Sequence, residues 1–237
     1  MIKKIKKIIF KCIFFVPDYI LEIWIFEARS WVGRTFTGKL KLDGSKVNLI
    51  NLGSGYYKLP EFINIDFFFD PQIDFGADLR YPLRIDSDSI DGIISEHTME
   101  HLTYKQNDAL FKECYRILKP SSTFRIVVPD VSIFVNNYAN KNQQWFKKWE
   151  ELMMVTSANP ERAKRRIATP MEAISFVTQE YLHVACWDFE TMKYYLEKNG
   201  FRDVKQVSYR QGRQQNLLVD RNEESRIYVS LYIEASK

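Results

Sequence analysis

Two glycines in Asn51-Leu52-Gly53-Ser54-Gly55 follow an apolar run, where a doubly wound sheet needs residues that turn sharply and let a ligand approach the backbone. A dinucleotide site would want a third glycine where Lys58 stands, and a P-loop would want Gly-Lys-Ser/Thr, which the chain lacks. Asp66 ends the next apolar run, where a carboxylate can accept hydrogen bonds from both hydroxyls of a ribose. Asp78 ends a weaker third run beside the same crevice, placed to accept from an adenine amino group. Each feature alone would also suit an ordinary turn; together they fit an adenosine-bearing cofactor.

A second cluster, His97-Thr98-Met99-Glu100-His101, matches the HxxEH pattern of inverted zinc peptidases, with Glu172 far downstream as a third ligand. Zinc chemistry of that kind needs the pattern on a mid-helix face. Here it directly follows an apolar run and precedes Thr103, a helix-capping residue, so no metal is expected.

The elements that must position these residues read as alternating strands and helices, the pattern of a mostly parallel sheet. Strands are expected over residues 47–52, 62–66, weakly around 73–79, 90–95 and 123–128, with alternating closing strands over 201–209 and 226–234. Thr103 and Gln106 form a capping box for a helix with Leu110, Phe111, Cys114, Ile117 and Leu118 inward and Pro120 at its end. Asp188 caps a second helix that buries Phe189, Met192 and Leu196 and stops before Gly200. Only about seven residues separate Gly55 from the second strand, fewer than the dozen a parallel crossover normally uses, so no full helix fits there.

Six blocks now stand in order at compatible spacing: Asn51 to Gly55; Phe62-Ile63-Asn64-Ile65-Asp66; Ala77-Asp78-Leu79; Ser89 to Ile94; Glu96 to Leu102; and Arg116 to Pro120 continuing through Arg125 to Asp130. In this it resembles the class I S-adenosylmethionine-dependent methyltransferases, in particular a small bacterial type-11-like group, over about a third of the chain. Residues His183, Trp187-Asp188, Gly200-Phe201 and Ser230 to Ala235 are more loosely similar. Ser54 replaces the usual cysteine or small residue, and Lys119-Pro120-Ser121-Ser122 replaces a Lys-Pro-Gly-Gly turn, leaving any positive φ to serine.

The resemblance implies a Rossmann-like methyltransferase fold, a mostly parallel seven-stranded sheet with helices on both faces, and S-adenosylmethionine as cofactor. Asn51, Leu52, Gly53, Ser54 and Gly55 would then seat the amino-acid end of the cofactor, Asp66 and Phe67 its ribose side, and Asp78 and Leu79 its adenine. Ser95 and Glu96 would border the sulfonium and the acceptor. If the acceptor is a hydroxyl, His97, Glu96 or His183 would serve as catalytic base. His101 reads better as a residue fixing the loop. A protein that keeps this fold but transfers nothing is the alternative, since fold does not fix function.

Composition bounds the rest. The chain has 237 residues, enough for one full core, and Cys12, Cys114 and Cys186 suggest neither a disulfide framework nor a zinc site. The net charge of +4 concentrates at the start, where residues 1–11 carry five lysines and no acid, so the remainder is near neutral and nucleic acid is not an expected partner. Ile2, Ile5, Ile9, Cys12, Ile13 and Val16 share one helical face and Lys3, Lys4, Lys7 and Lys11 the other. This basic amphipathic segment over residues 1–40 would lie on an anionic membrane surface through residues 1–16 or pack on the domain. The domain proper would run over 41–237, with a helical insertion at about 141–182. A cytoplasmic protein is expected, peripheral on the inner membrane face, acting on a small-molecule acceptor or on an envelope or lipid-linked glycan.

Overall fold

A computed structural model describes residues 17–156 and 167–237, so the expected amphipathic stripe of residues 2–16 lies outside the described residues. The first described helix is α1 (Asp18–Phe36). The chain then forms β1 (Leu49–Leu52), β2 (Phe62–Asp66), β3 (Phe75–Gly76), β4 (Ile90–Glu96), α2 (Tyr104–Ile117) and β5 (Leu118–Pro129). There follow α3 (Val131–Ala139), α4 (Gln143–Thr156), α5 (Pro170–Gln179), α6 (Phe189–Lys198), β6 (Arg202–Val207), a short α7 (Glu224–Val229) and β7 (Ser230–Ser236).

The seven strands lie in the order β3-β2-β1-β4-β5-β7-β6. The first five pair in parallel, and β7 runs antiparallel between β5 and β6. Every residue of β1 is buried, as expected of a parallel strand covered on both faces. Leu110, Phe111, Cys114 and Ile117 of α2 and Met192 and Leu196 of α6 join Ile50, Ile93, Phe124, Ile126 and Ile233 in one apolar core. The expected caps form: Thr103 and Gln106 close a reciprocal capping box on α2, and Asp188 accepts from the Thr191 N–H on α6.

Several boundaries differ from expectation. The third strand shrinks to Phe75–Gly76. Pro120 does not end α2, which stops at Ile117; the chain passes directly into β5, in which Pro120 lies near the exposed beginning. Residues 226–229, read as strand, are helical in α7, because Val229 is buried in a second apolar cluster with Phe134, Phe146, Trp149, Ala173 and Val177. That cluster, built from α3, α4, α5 and α7, lies just beyond the carboxyl end of β5.

In place of a first crossover helix, the buried amides of Asn51 and Asn64 hold the short connection. Asn51 Nδ2 donates to the Tyr57 carbonyl and to Asn64 Oδ1, at 2.9 and 3.0 Å, and Asn64 Oδ1 also accepts from the Leu59 N–H. Each buried polar atom thereby gains a partner that a helix would otherwise supply.

Candidate active site

Strand order reverses between β1 and β4, and the crevice beyond their carboxyl ends is where open α/β sheets bind ligands. The Gly53 to Gly55 turn, Asp66, Asp78 and Ser95 to His97 all gather along these strand ends. A groove of about 680 Å³ lies elsewhere, at the opposite ends of the strands near Asn48, Ser89 and Lys119.

The two glycines serve different needs. Gly53 has φ +73°, and a Cβ there would lie 2.1 Å from Thr98 Oγ1, so the turn is wedged against the segment that follows β4. Gly55 has φ +52°, and its missing Cβ would meet nothing within 4 Å, which leaves an open face on the turn. Between them Ser54 is buried, with an Oγ that has no hydrogen-bond partner. The half-buried Asp66 carboxylate accepts from the Gly55 and Phe67 N–H groups, both at 2.6 Å, which ties the turn to the end of β2. An open backbone face, a buried hydroxyl lacking a partner and a partly exposed carboxylate fit the amino-acid and ribose ends of S-adenosylmethionine.

Other expected cofactor contacts are placed differently. Leu52 is wholly buried and offers only its carbonyl, which accepts from the buried Ser95 Oγ at 2.8 Å. Asn51 turns its amide to the short crossover, not to the crevice. The Asp78 carboxylate is taken by α1: Ser30 Oγ donates to it at 2.5 Å, and Arg80 grips it while also pairing with Glu27. Burial raises the Asp78 carboxyl, but Arg80 and Ser30 outweigh it and hold the group below the usual carboxylate range. Phe67 stacks on Phe26 of α1 at 4.2 Å and 10°. Leu79 packs at the edge of the main core. Ser30, Phe26 and Arg80 were missed by sequence reasoning because no periodicity links α1 to strand ends this far along the chain.

The residues beyond β4 divide in two directions. Glu96 points to the carboxyl-terminal part of the chain, where it accepts from the Arg221 N–H at 3.1 Å and lies 3.6 Å from the Arg221 and Arg226 guanidinium groups. These contacts hold Glu96 against the carboxyl-terminal part of the chain, on a different side from His97. His97 adopts a strained left-handed conformation at φ +52°, a cost that clusters at functional positions. Its Nδ1 is 3.2 Å from Glu100 and its Nε2 3.0 Å from Ser230 Oγ.

All three histidines of the chain meet around buried Glu100. His183 Nε2 is 4.0 Å from Glu100 Oε1, and the His101 and His183 rings meet edge to face at 4.9 Å. Burial pushes His183 below the ordinary imidazole value, outweighing its bond to the Val177 carbonyl and the Glu100 charge. Burial acts to raise Glu100, but His97 and His101 lower it further, so the carboxylate stays ionised. Residues 99–101 form a single tight turn and not a mid-helix face, and Glu172 caps the start of α5 by accepting from the Ala168 N–H. The zinc-peptidase geometry is therefore not assembled.

Comparison with known proteins places a methyltransferase domain over residues 71–126, from just before β3 to the middle of β5. That match carries Asp78, Ser95 and the three residues His97, Glu100 and His101, and it leaves the glycine turn and Asp66 outside. No curated protein matches the chain. Among solved structures, the chain is similar to an S-adenosylmethionine-dependent methyltransferase from Archaeoglobus fulgidus, at 19% identity over 93% of this chain and 100% of that one, with a TM-score of 0.45. It is also similar to phosphoethanolamine N-methyltransferase 2 of Haemonchus contortus in complex with S-adenosylmethionine, at 12% identity over 89% of this chain and 52% of that one, TM-score 0.46. A third is a Mesorhizobium loti S-adenosylmethionine-dependent methyltransferase, at 14% identity over 85% and 92%, TM-score 0.43.

Proposed function

We propose, from the premise that this chain carries a class I S-adenosylmethionine-dependent methyltransferase domain, that it methylates a hydroxyl of a small molecule or of an envelope or lipid-linked glycan. The observation that carries this reading is His97, held at the end of β4 between Glu100 and Ser230.

Bound S-adenosylmethionine supplies a methyl group already activated on a sulfonium. The open face at Gly55 and the Ser54 hydroxyl would receive its amino-acid end, and Asp66 its ribose hydroxyls. Glu100 Oε1 faces the Nδ1 edge of the His97 ring at 3.2 Å, and Nε2 at the other edge would be the atom that takes the acceptor hydroxyl's proton. Ser230 would give up its contact with Nε2 to the acceptor. Alignment supplies much of the remaining acceleration.

The test follows labelled methyl transfer into fractionated glycans and lipids, then compares wild type with His97→Gln on the acceptor found. The variant should lose about 10²- to 10⁴-fold in kcat, with unchanged cofactor affinity by titration calorimetry. An undiminished kcat removes His97 as base, and a folded wild type that takes up no S-adenosylmethionine removes the reading as a whole.

We also propose that the protein works at the inner, anionic face of a membrane. Along α1, Trp24, Ile25, Trp31, Val32 and Phe36 share an exposed apolar face. The charged residues among them turn to the domain: Glu27 to Arg80, Arg29 to the Phe68 carbonyl and Arg34 to Ser30. In the sequence α1 follows a segment with five lysines, and basic residues beside an apolar helix face are a combination suited to lying in a headgroup layer. Among the described residues no helix is long and apolar enough to cross a membrane. Trp24→Ser/Trp31→Ser should lose co-sedimentation with phosphatidylglycerol vesicles while retaining cofactor binding; equal pelleting would dismiss the surface.

A further inference from the structure

We infer that Glu100, His101 and His183 form a site for one divalent metal ion of the zinc type. Each offers a ligand atom, and these atoms lie within 4.8 Å of one another. Two imidazoles and a carboxylate are a donor set that zinc and its neighbours among the late first-row metals accept.

Glu100 supplies the second observation. Its side chain is 2% exposed, and neither carboxylate oxygen is in a hydrogen bond. A buried carboxyl group without hydrogen-bond partners is costly unless a cation or donor compensates it. His97 Nδ1 stands at 3.2 Å but outside hydrogen-bond geometry, and it serves one oxygen only. A divalent ion between Glu100 and the other two histidines would satisfy the carboxylate more completely.

The surroundings suit the role. His183 Nδ1 contacts the Val177 carbonyl at 2.8 Å, the kind of outer contact that fixes a ligating ring and its tautomer, and it turns Nε2 toward Glu100. The backbone is fixed as well: the Val184 and Ala185 N–H groups donate to the Glu100 carbonyl, at 2.8 and 3.2 Å, pinning the turn after β4 to the segment that carries His183. His101 is exposed and gives the ion a path from solvent. Ligand atoms on one tetrahedral zinc stand about 3.4 Å apart, so atoms now up to 4.8 Å apart must close by as much as about 1.4 Å. Three protein ligands would leave one position open for water.

This site differs from the peptidase pattern that the same residues spell. There both histidines of HxxEH bind metal and the glutamate acts as base. Here His97 turns to Ser230, the glutamate becomes a ligand, and His183 takes the vacated place.

The experiment uses the full chain, stripped with a chelator and dialysed against zinc alone, with metal counted by mass spectrometry and cobalt substituted for its visible spectrum. One zinc per chain is expected, with cobalt bands of a four-coordinate site. His101→Ala alters an exposed residue and should keep the native melting curve while losing at least about tenfold in zinc affinity, as even outer-shell changes cost that much. Glu100→Gln, which keeps volume but removes the charge, should lose zinc as well; if it fails to fold, His101→Ala and His183→Ala decide alone. Natively folded wild type that retains no zinc overturns the inference, as does an unchanged affinity and cobalt spectrum in both histidine variants. The readout is metal and not methyl transfer, so its failure leaves the proposed activity untouched.

Discussion

Replacing Gly53 by alanine separates two demands that the glycine turn meets. The φ of +73° costs an L-residue about 1–2 kcal/mol in the left-handed region. The new Cβ would lie 2.1 Å from Thr98 Oγ1, 2.4 Å from its Cγ2 and 2.8 Å from its Cβ, an overpacking that typically costs about 1–3 kcal/mol. Together these give about 2–5 kcal/mol, or a fall in Tm of about 4–20 °C for a chain of this size. In a Thr98→Ala background the two nearest atoms are gone but the residue-98 Cβ at 2.8 Å remains, so the substitution should cost the conformational strain and only the smaller part of the overpacking. Thr98→Ala alone loses the hydroxyl's bond to the Gly53 carbonyl at 3.2 Å, worth about 1 kcal/mol. Urea melts of the four proteins give the coupling directly, expected at about 1–3 kcal/mol. Strict additivity, within about 0.5 kcal/mol, would refute the close approach as the reason for glycine. Gly55→Ala makes the opposite split: with open space around its Cβ it should cost only the strain of about 1–2 kcal/mol, yet it should weaken S-adenosylmethionine binding because the methyl intrudes on the open face.

Two further expectations concern the scaffold. Arg125 is fully buried, its guanidinium paired with Asp220 at 2.6 and 2.7 Å and with Glu234 at 3.0 Å; Asp220→Ala strands that charge and should cost about 3–5 kcal/mol by urea unfolding, whereas a loss below 1 kcal/mol would mean that Glu234 suffices. Asp78, Asp91 and Glu113 are each held below their ordinary values, with burial opposing and Arg80, Lys119 and Arg116 prevailing respectively. Their stabilisation is therefore present above a pH of about 4 and lost as pH falls through their lowered folded values, so Tm should drop below about pH 4 more steeply in wild type than in Asp78→Asn.

Much of the frame was legible before any coordinates. The strands over 49–52, 62–66 and 90–96, the capped helices and the glycine turn follow from local pattern, because apolar period and capping chemistry act within a few residues. The failures were also local in origin. Alternation in Arg226-Ile227-Tyr228-Val229 fits one helical turn as well as a strand end, and only the aromatic cluster around Trp149 chooses between them.

By itself, the sequence determined the class of sheet and the placing of the glycine turn, Asp66 and Asp78 at strand ends, since these depend on short-range order, and its resemblance to the class I methyltransferases implied the donor. The tertiary structure alone decided which side chains remain available there. It assigned Asp78 to α1, drew Glu96 to Arg221 and Arg226, and gathered His97, His101 and His183 around one buried carboxylate. Those pairings join segments far apart in the chain, and charge neutralisation in a buried site is settled by what the fold brings within a few ångströms, which spacing along a sequence does not encode.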